Sequence, residues 1–98
     1  MLLPSVRYFL ALCDERHFGE AAKRCGISQP TLTNAIKRLE VIAGGPLFMR
    51  GPPAELTPLA LALKPHFEQM LRAAEQAQLE IAKAAQKEAA SQFAKTVV

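Results

Sequence analysis

The sequence is poor in the side chains that carry out chemistry. It has two cysteines, Cys13 and Cys25, and two histidines, His17 and His66. The cysteine spacing does not match that of a zinc site. The histidines lie far apart in the chain, on different expected elements. No nucleophile–base arrangement, glycine-rich phosphate loop or metal-ligand spacing is present. These absences argue against an enzyme and call for no metal and no cofactor. Long apolar runs are missing too. Charge and proline interrupt the apolar patches, so the sequence reads without signal peptide or transmembrane span. A cytoplasmic location and no membrane partner are expected. Both cysteines fall at apolar positions of expected helices and read as small buried thiols. A redox switch is the alternative, but nothing in the sequence marks either thiol as reactive.

What is present is apolar and mildly basic. The chain has 98 residues, 50% of them hydrophobic, with a net charge of +3 and a pI of about 9.1. That length suits one small domain plus an extension, with a modest core that gains from dimerisation. The distribution of charge says more than its sum. Lys23, Arg24, Lys37, Arg38 and Arg50 cluster around one stretch, while Glu15, Glu20, Glu40 and Glu55 dilute the total.

That stretch is Phe18 to Glu40, FGEAAKRCGISQPTLTNAIKRLE. It reads as two short helices joined by a tight turn. The first runs from about Glu20 to Cys25, with Gly19 at its N-cap. Gly26 sits where the turn needs a residue that tolerates positive φ. Ser28 is a good N-cap for the second helix, and Pro30 falls in its first turn, where a missing N–H does no harm. Leu32, Ala35, Ile36 and Leu39 form an i, i+3, i+4, i+7 stripe that must face a core. The other side presents Pro30, Thr33, Asn34 and Lys37, flanked by Thr31 and Arg38. Amides and hydroxyls bond base edges and cations neutralise phosphates, so this face suits DNA. Ala22, Gly26 and Leu32 also follow the helix-turn-helix pattern, in which a small residue lets the helices cross closely. The plainer alternative is a helical hairpin packed inside an ordinary α domain.

AAKRCGISQPTLTNAIKRLE resembles the N-terminal signature of LysR-type transcriptional regulators. The likeness extends to RYFLAL at Arg7 to Leu12, to Phe18, to PLFMR at Pro46 to Arg50 and to LTPLALAL at Leu56 to Leu63. It covers roughly residues 4 to 70, as several separate blocks in order. It implies a mainly α fold: a winged helix-turn-helix with a three-helix core and a two-stranded wing, then a long linker helix. Domain 1–57 is the expected DNA-binding unit, 58–90 the linker and dimerisation helix, and 91–98 a frayed tail.

Residues 4 to 15 read as the supporting first helix. Val6, Phe9, Leu10 and Cys13 make its buried stripe, and Tyr8 and Leu12 border it. Arg16-His17 departs from the Gly–Ser or Gly–Thr pair usual in the family. The reading helix spans 28–43 and ends at Gly44-Gly45, with Pro46 preventing continuation. Leu47 to Arg50 and Glu55 to Thr57 make the wing around a stiff Gly51-Pro52-Pro53-Ala54 turn. Family members commonly carry further basic residues near the tip, so weak minor-groove reading is expected here. Thr57 caps the last helix, and Pro65 should kink or loosen its early turns. This helix is expected to reach about Ala90. Its a/d-like seam is Leu63, Phe67, Met70, Ala74, Ala77, Ile81 and Ala84. At about 1.5 Å per residue, Pro58 to Ala84 spans roughly 40 Å, too long to bury on so small a domain.

The resemblance implies a homodimer through this helix, paired antiparallel, reading a pseudo-palindromic operator in double-stranded DNA. It places Gln29, Pro30, Thr33 and Asn34 at base edges. Ser28, Thr31, Lys37, Arg38 and Arg50 are better placed for phosphates. Asn34 stands where arginine is frequent, and asparagine favours adenine where arginine favours guanine. The two-subdomain effector-binding domain of the family, with its inducer and any higher oligomer, is not among these 98 residues. No small-molecule ligand is therefore expected. The sequence reads as an excised DNA-binding fragment of a bacterial regulator or as a natural short protein. Two readings compete with direct DNA binding: a winged-helix protein-interaction module and a short antagonist of full-length regulators. The molybdate-regulator type of winged helix is a near relative of the DNA-binding reading, with a similar N-terminal domain. The S-Q-P start and the long last helix fit the LysR type better than the molybdate type.

Overall fold

Val6, Phe9, Leu12 and Cys13 supply the buried side of the first helix, α1 (Leu2–Glu15). The computed structural model describes the backbone of residues 2–97 and the burial of residues 3–89. Leu12 is fully buried and Leu10 is half-buried, the reverse of the sequence expectation. The helix packs against three others, so its buried sector is wider than one stripe and also takes in Ala11. It ends at Arg16, which takes the left-handed conformation at φ 56°. Arg16 donates its N–H to the Leu12 carbonyl at 2.8 Å, and its own carbonyl accepts the Ala54 N–H at 2.8 Å. The corner after α1 is thereby fastened to the loop of the wing.

The second helix, α2 (Phe18–Cys25), starts two residues before the expected Glu20. Its N-cap is His17 and not Gly19: with φ −144° and ψ 120°, the His17 ring accepts the Glu20 N–H. Ala21 and Ala22 are buried and let neighbouring helices approach. Gly26 takes φ 70°, the Gly26 N–H donates to Lys23 O at 3.1 Å, and the Ile27 N–H donates to Ala22 O at 3.0 Å. This pair of bonds is a Schellman closure, which needs a left-handed residue at Gly26. The third helix, α3 (Gln29–Ala43), buries Leu32, Ala35, Ile36 and Leu39 as its periodicity requires. It closes at Gly44, φ 84°, whose N–H bonds Glu40 O at 2.9 Å.

Glu40 begins the wing as well as ending the helix: its Oε2 accepts the Leu47 N–H at 2.7 Å. Strands β1 (Phe48–Met49) and β2 (Glu55–Leu56) pair antiparallel, with Phe48 opposite Leu56 and Met49 opposite Glu55. They are shorter than expected, because Leu47 and Thr57 sit at the wing base and bond each other there, Thr57 N–H to Leu47 O at 3.0 Å. Thr57 Oγ1 donates to Pro46 O at 2.7 Å and accepts the Ala60 N–H at 3.2 Å. One buried hydroxyl thus ties the wing base to the start of the fourth helix, α4 (Pro58–Val97).

The core lies between α1, α2, α3, the wing and the start of α4, and its aromatic part is where α1, the wing and α4 meet. Phe9 packs on Phe48 at 5.5 Å between ring centroids and on Phe67 at 5.3 Å. Phe18 reaches Phe48 at 6.5 Å. The backbone of α4 stays helical through Pro65 and continues to Val97, beyond the expected end near Ala90. After Pro65 it contains no glycine or proline to stop it. From Glu75 to Ala89 every residue is exposed, so α4 leaves the core as an arm. The molecule measures 64 × 25 × 20 Å along its principal axes.

Candidate nucleic-acid interface

With its apolar stripe buried, α3 turns a continuous row outward. Pro30, Asn34 and Lys37 are exposed along it, with Gln29, Thr31 and Arg38 exposed beside them. Thr33 is half-buried, because it leans toward the wing. There it lines a groove of about 210 Å³ with Phe18, Gln29, Arg50 and Gly51. A smaller groove continues past Thr33, Lys37 and Arg50. The fold therefore brings Arg50, distant in sequence, beside the reading helix.

Ser28 and Thr31 are already engaged. Ser28 Oγ accepts the Thr31 N–H at 3.3 Å, and the two hydroxyl oxygens lie 2.8 Å apart. One hydroxyl proton is used between them, which leaves one for a phosphate oxygen.

The basic cluster divides in two. Lys23 pairs with Glu20 at 3.5 Å, and Arg24 pairs with Asp14 at 3.0 Å and Glu15 at 3.5 Å. Among the described residues, Lys37, Arg38 and Arg50 have no acidic partner within 4.0 Å. Free cations thus lie on the same side as the polar row, and the compensated ones lie on the far corner of α2. Burial pushes the Cys13 thiol up to about 12. It pushes Cys25 upward too, against a weaker opposing pull from Arg24. A thiol held protonated is a poor nucleophile, which favours the buried-thiol reading over a redox switch.

The expected dimer seam is split by the fold. Phe67 is buried on Phe9, and Leu63 packs against the same core. Within the single chain, these two residues of the expected seam thus pack on their own domain. Ala74 is half-buried, whereas Met70, Ala77, Ile81 and Ala84 are exposed. Sequence reasoning also missed the His17 cap, for which no usual signal exists, and the apolar pair Val41 and Ile42. These two are 82% and 70% exposed at the end of α3, outside the buried stripe of that helix. Among the described residues, no helix is long and apolar enough to cross a membrane.

Comparison with known proteins places this geometry. The sequence profile of bacterial regulatory helix-turn-helix proteins of the lysR family matches residues 3–61. The HTH-type transcriptional regulator BudR of Klebsiella aerogenes is 58% identical over 50 residues, 51% of this chain and 35% of that protein. The chain thus spans about a third of that relative's length. Among solved structures, the CbnR_DBD–DNA complex is 29% identical with a TM-score of 0.78, covering 87% of this chain and 99% of the other. The BenM_DBD/catB site 1 DNA complex is 31% identical with a TM-score of 0.80, covering 87% of this chain and 97% of the other.

Proposed function

The chain belongs to the lysR family of bacterial regulatory helix-turn-helix proteins, and on that footing we propose that it reads double-stranded DNA sequence-specifically as the DNA-binding part of a transcriptional regulator. The observation that carries this reading is the outward row of α3, an amide and small polar groups flanked by free Lys37, Arg38 and Arg50. Gln29, Pro30, Thr33 and Asn34 meet base edges in the major groove. Ser28, Thr31, Lys37, Arg38 and Arg50 hold phosphates and fix the register. The DNA complexes of CbnR_DBD and BenM_DBD support this reading, since both resemble the chain over most of its length.

The active form is a homodimer joined through the part of the α4 seam beyond Phe67: half-buried Ala74 and exposed Met70, Ala77, Ile81 and Ala84. An apolar stripe on a projecting arm is stabilised by a partner helix, and alanines permit close approach. Two copies place two reading helices in successive major grooves. The operator is then a pseudo-palindrome with half-sites one helical turn or a multiple apart.

In vitro selection from a random duplex pool tests the reading, combined with sedimentation of the same protein. Enrichment of a pseudo-palindrome by a dimer is expected. A folded dimer that enriches no site would instead favour a protein-interaction module.

A further inference from the structure

His17 can make its contact at the start of α2 in only one protonation state. Its Nδ1 accepts the Glu20 N–H at 3.2 Å. A ring nitrogen that accepts carries no proton, so the proton of the neutral ring sits on Nε2. In the imidazolium both nitrogens are donors, and Nδ1–H would oppose the Glu20 N–H.

The ring so held is a neighbour of Gln29, with Gly19 between them. A Cβ built on Gly19 would lie 3.1 Å from His17 Cε1 and 3.5 Å from Gln29 Oε1. Imidazole and carboxamide thus flank the gap left by the missing side chain, in a groove of about 210 Å³ shared with the wing tip. The charged groups around this place are few. Arg16 and Glu20 come from the same stretch, and Glu20 is paired with Lys23. From α3 the neighbour is neutral Gln29, and from the wing Arg50 lines the adjoining groove.

We infer that His17 is a positioning residue for Gln29: the neutral ring fixes the first turn of α2 and limits where the Gln29 carboxamide can turn, so base preference at the position Gln29 meets depends on the proton at His17. The inference rests on the DNA reading above. Protonation removes the acceptor, and the ring leaves the cap. The gap beside Gly19 that the ring bounds opposite the Gln29 carboxamide is then open. The charge gained at the same place attracts phosphates. Acidification therefore lowers discrimination at one base position while overall affinity holds or rises. A merely structural role would weaken binding at all positions together.

The experiment is in vitro selection with the 98-residue chain at about pH 7.5 and about pH 5.5, which brackets the range where histidine changes charge. It is repeated with His17→Asn, which keeps a capping acceptor without titrating, and with Gly19→Ala. The wild type should lose severalfold preference at one half-site position at the lower pH. His17→Asn should give the same profile at both, and Gly19→Ala should blunt that same position at both. A wild-type profile unchanged by pH, or a loss spread evenly over the half-site, overturns the inference and leaves the DNA reading standing. Failure to enrich any site at the higher pH overturns both.

Discussion

Phe67 of α4 meets Phe9 of α1 edge to face, with ring centroids 5.3 Å apart and planes at 88°. The contact turns the early part of α4 inward, so that its free seam begins near Met70. The two ends of one apolar stripe then have separable roles. Phe67→Ala should destabilise the domain by about 3–5 kcal/mol, the usual range for truncating a buried phenylalanine. Ile81→Glu should leave the fold intact and shift the protein toward monomer. Denaturant unfolding and sedimentation equilibrium on both variants would check this. A dimer unaffected by Ile81→Glu would reject the proposed seam.

Asn34 and Lys37 are adjacent on the exposed row of α3, and the proposed reading assigns them to different parts of DNA. Asn34→Ala should relax preference at one base, expected to be adenine, by about 1–3 kcal/mol. Lys37→Ala should weaken all sequences alike and reduce the salt slope by about 1. Titrations against the selected site and its single-base variants, at several salt concentrations, separate the two. An unchanged preference profile in Asn34→Ala would sink that assignment.

Arg16 holds φ 56°, a conformation that costs an L-residue with a side chain roughly 1–2 kcal/mol. Glycine removes that cost but adds chain entropy of about 0.5–1 kcal/mol on unfolding. Arg16→Gly should therefore stabilise the domain, by up to about 1.5 kcal/mol. Its midpoint in urea should rise with no change in m-value. A lower midpoint would mean that the Arg16 side chain contributes more than the strain costs.

Burial raises the Cys13 thiol from 9.0 to about 12 in the folded protein. Above the unfolded value, the unfolded chain loses its proton and the folded one keeps it. The unfolded state then binds fewer protons, so stability falls as pH rises. This contribution is complete below pH 9 and is lost toward pH 12, at no more than about 1.4 kcal/mol per pH unit. Cys13→Ala should show a shallower alkaline decline when unfolding is followed from neutral pH upward. Equal slopes in the two proteins would exclude Cys13 as the source.

Much of this was legible in local patterns. The stripe Leu32, Ala35, Ile36, Leu39 has one helical solution, and Ser28, Gly26, Gly44 and Thr57 occupy positions that their chemistry favours. Other features were hidden because they depend on contacts distant in sequence. A repeat of Leu63, Phe67 and Met70 is the same string whether it faces its own core or a partner; the packing of Phe67 on Phe9 is visible only in the fold. The cations looked like one cluster until Asp14 and Glu15 met Arg24 across the α1–α2 corner. His17 escaped notice because imidazole caps a helix only in one tautomer, and a sequence does not record where the proton is.

Thr57 Oγ1 bonds both Pro46 O and the Ala60 N–H, so the wing base and the root of α4 turn as one piece. A helix of 40 residues is about 60 Å long. Swinging such an arm by about five degrees moves its far end by roughly 5 Å relative to its root. The hydroxyl is thus the fulcrum of a lever. In a pair crossed along α4, a small angular change out on the arm becomes a change in the distance between the two reading helices, and so in the spacing of DNA that the pair can span.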